Sequence, residues 1–131
     1  MKLGVNTHFI MKFEFEEGLK FCQLIGVTAM ELAAMGPSAR KYCDVEKLLA
    51  DDGERRRWQD IYASHGLEIY SFSGHSAPLV PDKQVAAQFS SQFRQACALM
   101  EKLGVTRMAL VAGLPEGAEG DRLPTWIVNT D

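Results

Sequence analysis

Cysteine is scarce in this chain of 131 residues: there are three, an odd number, and no two stand in a Cys-x-x-Cys spacing. A self-contained disulfide framework is excluded, and free thiols suit the reducing cytosol. No run of about 18 apolar residues is present, so no segment reads as a membrane span. Excess positive charge is also missing. Fourteen Lys and Arg stand against 17 Asp and Glu, a net charge of -3 that argues against a nucleic-acid backbone or an anionic membrane as the main partner. The first residues, Met-Lys-Leu-Gly-Val-Asn-Thr-His, have a strand pattern and lack the apolar core of a signal peptide. The Gly-x-Gly-x-x-Gly of a dinucleotide-binding turn is absent after that strand, where Asn-Thr-His-Phe-Ile-Met stands instead, which weakens a Rossmann reading.

What is present is a repeated grammar. Leu24-Ile25-Gly26-Val27 precedes the apolar run Met30–Ala34, His65-Gly66 precedes Leu67–Phe72, and Leu103-Gly104-Val105 precedes Met108–Ala112. The three glycines lie 40 (26 to 66) and 38 (66 to 104) residues apart. A helix stopped by glycine, an apolar strand and a polar loop form one αβ unit, and such a period predicts units stacked side by side. The length sets a limit of one domain.

In chain order, Lys2–Asn6 reads as the first strand and Thr7-His8-Phe9 as its exit loop. Phe15, Leu19, Cys22 and Ile25 recur at helical spacing and predict a helix over Glu14–Ile25. A second strand, Ala29–Ala34, leads into a loop, Met35–Cys43. Asp44 is a predicted N-cap for Val45–Ala50. Gly53 is expected to interrupt that helix, which resumes over Glu54–His65. The third strand, Leu67–Phe72, ends in a loop holding Ser73, Gly74 and His75. Asp82 is a predicted N-cap for the longest helix, Lys83–Leu103, whose stripe runs through Val85, Phe89, Phe93, Ala96, Met100 and Leu103. The fourth strand is Arg107–Ala112, and the tail 113–131 shows no helical period. Cys22 and Cys97 fall in helical patterns, where a buried free thiol is the ordinary state.

The predicted order is βαβαβαβ. Strands separated by helical crossovers lie parallel. Two architectures are open on this pattern: an open doubly wound sheet, or part of a (β/α)8 barrel, for which four strands with three intervening helices amount to half.

The chain resembles the sugar phosphate isomerase/epimerase proteins of the xylose isomerase-like TIM-barrel superfamily. The matching pieces are Met-Lys-Leu-Gly-Val, Ala-Met-Glu-Leu, Tyr-Cys-Asp-Val-Glu-Lys-Leu-Leu-Ala-Asp, Gly-Leu-Glu-Ile before His75, Pro-Leu-Val-Pro-Asp-Lys after it, and Glu-Lys-Leu-Gly-Val. The tail, Gly-Leu-Pro-Glu-Gly-Ala-Glu-Gly-Asp with Pro-Thr-Trp-Ile, is similar to the family's long loop after the fourth strand. Relatives often carry His-Gly-Asn-Pro where His75-Ser76-Ala77-Pro78 stands here, and His-Cys-Asp in place of Tyr42-Cys43-Asp44.

The resemblance implies the first half of a TIM barrel as a single partial domain, residues 1–131. The full-length protein would isomerise or epimerise a sugar, sugar phosphate or polyol by proton transfer next to a carbonyl. It would use a divalent ion, Mn, Mg or Zn, held by side chains from strands five to eight. Those strands are missing, so this chain alone is expected to bind no metal and to supply no catalytic carboxylate. It is expected to keep substrate-binding residues at the C-terminal ends of its strands. His75 follows the third strand, where an imidazole can bond a sugar hydroxyl, against the plainer reading of a loop histidine bonded to backbone. His8 follows the first strand, with a solvated loop residue as its alternative. Glu31 lies inside the second strand, as an inward site carboxylate or half of a structural ion pair. Trp126 is read as a lid or stacking residue against a sugar ring, or as an aromatic packed on the nearest core. His65 sits at a helix C-terminus, at the end opposite the chemistry.

An endonuclease-like reading is disfavoured by three histidines and the acidic charge. The competing function is a non-catalytic half-barrel that serves as a binding or assembly module. In either case the two unpaired sheet edges predict a self-associating half-barrel or a partly molten, aggregation-prone fragment.

Overall fold

The computed structural model describes residues 2–75 and 78–111, without the side chains of 37 and 38. The repeated glycine becomes a repeated helix stop. Gly26, Gly66 and Gly104 have φ of 79°, 68° and 69°, the left-handed region where a Cβ is penalised. At each stop the residue after the glycine turns its N–H back to a carbonyl five residues earlier: Val27 to Cys22, Leu67 to Tyr62 and Val105 to Met100. These residues are apolar and fold onto the helix they leave, so the chain is aimed into the next strand.

The strands are β1 (Gly4–Asn6), β2 (Ala29–Ala33), β3 (Glu68–His75) and β4 (Met108–Val111). They form one sheet in the order β1-β2-β3-β4, and every pairing is parallel. The helices are α1 (Phe15–Leu24), α2 (Val45–Ala50), α3 (Asp52–Ser64) and α4 (Lys83–Leu103). Thr7–Ile10 and Pro37–Lys41 are short 3-10 turns. The fold is therefore α/β with a four-stranded parallel sheet and helices in every crossover.

Three details correct the expectations. The second crossover holds two helices, and the break between them falls at Asp51 rather than Gly53. Asp51 Oδ1 caps α3 by accepting from the N–H groups of Gly53 and Glu54 at 2.7 and 3.0 Å, so Gly53 lies within the first turn. The third strand does not end at Phe72. Ser73, Gly74 and His75 pair with Ala109, Leu110 and Val111, which makes His75 the last residue of β3 rather than part of a loop. Cys97 is exposed, while Cys22 is buried as expected.

Caps at the other helix starts follow the sequence. Asp44 accepts from Lys47 N–H, Asp82 accepts from the N–H groups of Gln84 and Val85, and Glu14 forms a capping box with Glu17.

One continuous core joins Leu19 and Cys22 of α1, Leu48 of α2, Trp58 and Tyr62 of α3 and Ala96 and Leu99 of α4 to Met30, Leu32 and Phe72 of the sheet. All four helices thus cover the same face. Under them lies a knot around Tyr42. Its hydroxyl donates to the Ile10 and Phe13 carbonyls at 2.7 and 3.1 Å, and its own carbonyl accepts from Trp58 Nε1 at 2.9 Å and the Tyr62 hydroxyl at 3.1 Å. Phe15 stands edge-on to both tyrosine rings. A Cβ on Gly18 would come within 2.4 Å of the Tyr42 hydroxyl oxygen, so the knot requires glycine there.

Candidate functional site

The opposite face of the sheet carries a group of polar side chains among small apolar ones such as Ala29 and Ala33. On β2, Met30 and Leu32 point into the core, which turns Glu31 between them to the other face. Leu67, just before β3, and Ile69 within it pack on the core side, and so does Phe72, three residues after Ile69. Strict alternation cannot do this. A bulge resolves it: Ile69 pairs with Met30 and Ser71 with Glu31, which leaves Tyr70 as the extra residue. Without the bulge, Tyr70 rather than Ser71 would stand opposite Glu31. With it, Ser71, Ser73 and His75 follow one another up the polar face. Tyr70 instead has Arg107 over one face of its ring, with the guanidinium carbon 4.6 Å from the ring centroid.

Asn6, the last residue of β1, stands at the centre. Its Nδ2 donates to Glu31 Oε1 at 2.6 Å and to Ser73 Oγ at 2.9 Å. Its Oδ1 accepts from the backbone N–H of His8 at 2.9 Å and lies 2.8 Å from His8 Nδ1. Ser71 Oγ donates to the other Glu31 oxygen at 3.4 Å. Thr7 Oγ1, 1% exposed, accepts from Ala33 N–H and fixes the turn that carries His8 against β2. The imidazole of His8 meets that of His75 edge-on, with centroids 5.2 Å apart and planes at 79°.

The structure therefore brings three of the four candidates together. His8 from the turn after β1, Glu31 from the middle of β2 and His75 from the end of β3 form one cluster joined through Asn6. Glu31 is held by neutral partners, Asn6 and Ser71, rather than by the cation of a structural ion pair. Both histidines are exposed at the rim. Trp126 and the glycine-rich segment 113–120 lie outside the described residues. His65 is the C-cap of α3, before β3 and hence at the other end of the sheet.

Asn6, Ser71 and Ser73 were missed by sequence reasoning. Asn6 carried a usable signal: an asparagine ending a strand and standing two residues before a histidine is the pattern of a side chain that caps the following turn. Cys43 is buried, with its thiol pushed up to about 12 by burial and then by Asp44, so it stays a protonated thiol near neutral pH.

A divalent ion is implied by the family resemblance, but the donors here do not fit one. Among the described residues no three His, Cys, Asp or Glu side chains converge as metal ligands. The Glu31 oxygens already accept from Asn6 and Ser71, and the cluster offers two imidazoles beyond them. What the cluster can do is bind and orient hydroxyl groups at its exposed rim: the imidazoles of His8 and His75 lie there with the half-buried Glu31 behind them, while Ser71 and Ser73 are buried and hold Glu31 and Asn6 in place. No helix of the described residues is long and apolar enough to cross a membrane.

No known family's sequence profile matches the chain. It is similar to an uncharacterized protein, YfiH, of Bacillus subtilis (strain 168), with 24% identity over 130 residues. That match spans 99% of this chain and 41% of the relative, so the chain spans less than half the length of the curated protein it matches.

Proposed function

We propose that the chain is the substrate-binding half of a (β/α)8 sugar isomerase or epimerase. The observation that carries this reading is that His8, just after β1, and His75, the last residue of β3, meet at the C-terminal end of the sheet, where barrel enzymes place their sites, with Glu31 of β2 linked to His8 through Asn6. The sequential parallel order with helices on one face supports the barrel half. The ligand class is the one the family resemblance implies, and the hydrogen-bonding character of the face, with imidazole and carboxylate acceptors at one rim, supports it. That face suits a polyhydroxylated sugar or polyol. In the full-length protein the divalent ion and the proton-transferring carboxylates come from elsewhere, and His8 and His75 orient the sugar.

Titration of the labelled chain with D-fructose, D-xylose and xylitol tests this. Shifts confined to His8, His75 and Glu31 are expected. An unchanged spectrum for all three sugars overturns the reading.

A second reading, a half-barrel assembly module, is favoured by where apolar surface is left wet. Eight large hydrophobics are exposed among the described residues. Leu3, Phe9, Leu24 and Ile25 flank β1 or end the helix that follows it, Leu110 lies in β4 with Phe93 beside it, and Leu79 precedes α4. The eighth is Tyr70, with Arg107 over one face of its ring. Beside β4, Phe93 and Leu110 join Pro78, Phe89 and Val111 in an open groove. Exposed edges and apolar flanks recruit further strands, and joining β4 of one copy to β1 of another preserves a parallel ring. Sedimentation of the purified chain decides: association weakened by Leu110→Lys supports this module, and a monomer at every concentration removes it.

A further inference from the structure

Asn6 uses all of its side-chain hydrogen-bonding capacity inside the cluster, and this determines the state of a neighbouring group. Both of its N–H bonds are taken, by Glu31 Oε1 and Ser73 Oγ. Its oxygen faces two nitrogens of His8, the backbone N–H and Nδ1. The amide cannot be turned over. Its NH2 would then oppose the His8 backbone N–H, donor against donor, and its oxygen would oppose the Glu31 carboxylate. With the oxygen toward His8, the 2.8 Å contact to Nδ1 is a hydrogen bond only when Nδ1 carries the proton. A neutral ring has one N–H, so its lone pair is then on Nε2.

We propose that Asn6 is a positioning residue that locks His8 as the Nδ1-H tautomer, so that Nε2 is presented as the acceptor for a hydroxyl proton of a polyhydroxylated ligand. The ring is fixed at Nδ1 by Asn6 and flanked by the His75 ring, which leaves Nε2 as its acceptor. The Glu31 carboxylate polarises the Asn6 amide from the far side, strengthening Oδ1 as an acceptor. The sequence of contacts, Glu31 to Asn6 to His8, therefore runs from a fixed charge to an open lone pair. The ligand class rests on the reading above; the tautomer does not.

Long-range proton–nitrogen spectra of the uniformly nitrogen-15-labelled chain, recorded above the pH at which the imidazoles titrate, test the proposal directly. His8 is expected to show a protonated-type Nδ1 and an unprotonated-type Nε2. In Asn6→Ala it is expected to move to the Nε2-H form that a solvated imidazole prefers. A wild-type His8 with the proton on Nε2 overturns the proposal without any variant, so a misfolded Asn6→Ala chain does not shelter it. An Nδ1-H form that persists in a folded Asn6→Ala also overturns it. Addition of xylitol is expected to move Nε2 and leave Nδ1 in place. If the tautomer is as proposed but Nε2 does not respond to xylitol, D-xylose or D-fructose, the acceptor role and the sugar-binding reading fall together while the tautomer stands.

Discussion

Two polar networks lie on opposite faces of the same sheet, and they end differently. In the knot around Tyr42, hydroxyls and an indole N–H bond to backbone carbonyls of Ile10, Phe13 and Tyr42 itself. Tyr42 and Tyr62 are 2% and 1% exposed, and no donor is left over. In the cluster around Asn6, side chains bond to side chains, and the chain of bonds ends at exposed imidazoles. A network that terminates in backbone is closed and holds elements together. One that terminates in titratable side chains at a rim is open to a ligand. Burial of polar atoms alone does not distinguish them; among the described residues no buried side-chain nitrogen or oxygen lacks a partner in either.

The largest expected effect breaks the knot. Tyr42→Ala removes a buried ring together with the hydroxyl that ties the segment before α1 to the rest, and a loss of about 3–5 kcal/mol is expected in urea unfolding. The response of His8 to a sugar should be unchanged in whatever fraction remains folded; coupled loss of both would show that the two networks are one. Gly18→Ala approaches the same hydroxyl from α1. The new Cβ must displace a tyrosine that is held at both of its oxygens, and about 1–3 kcal/mol is expected.

The knot also predicts an alkaline limit. Burial, and then the neighbouring Cys22, Glu14 and Glu17, push the Tyr42 hydroxyl up to about 12 from an ordinary 10.0, and burial raises Tyr62 well above 10.0. A phenol whose folded value is raised contributes stability that is fully present below its unfolded value. As pH rises from about 10 toward 12, the unfolded chain releases its proton first and folding weakens. Melting temperature should fall over that window, and less steeply in Tyr42→Phe. An equal slope in the variant would assign the effect elsewhere.

On the other face, His75→Ala removes an exposed ring, and a change within about 0.5 kcal/mol is expected. A larger loss would make His75 part of the scaffold and blur the contrast between the networks.

The scaffold was far easier to read in the residues than the site. Helix stops at Gly26, Gly66 and Gly104 and caps at Asp44 and Asp82 are local rules, satisfied within a few residues of the signal. The missed break at Asp51 obeys the same rule: Asp51 and Glu54 stand at capping-box spacing, and the glycine between them drew the reading away. His8, Glu31 and His75 were found singly from their places after or within strands. Their meeting depends on register, which no local signal states. The Tyr70 bulge decides that Ser71 stands opposite Glu31, and a bulge is a property of two strands together. Asn6 escaped for a related reason, since its role is defined by three partners at separations of 2, 25 and 67 residues. Cys97 shows the limit of periodicity, which marks a helix but not which of its faces is covered.

A third kind of polar contact calibrates the other two, and its expected effect is the smallest. Glu54 on α3 pairs with Lys47 of α2 at 2.7 Å and with Arg57 on its own helix, across the break at Asp51. Hydrogen bonds from Lys47 first and Arg57 next hold its carboxyl down to about 2, below the ordinary 4.5. A carboxyl whose folded value is depressed contributes stability that is present above the unfolded value and is lost as pH falls from about 4.5 toward 2. The pair lies in solvent, where water and salt screen the charges and ordering two long side chains opposes the gain. Glu54→Gln should therefore lower the melting temperature at neutral pH by less than Gly18→Ala does, and the difference from wild type should shrink at high salt and vanish near pH 2. A drop as large as that of Gly18→Ala, or one that persists at pH 2, would mean that the α2–α3 corner depends on Glu54 for packing rather than charge. The exposed pair would then belong with the Tyr42 knot as a structural network.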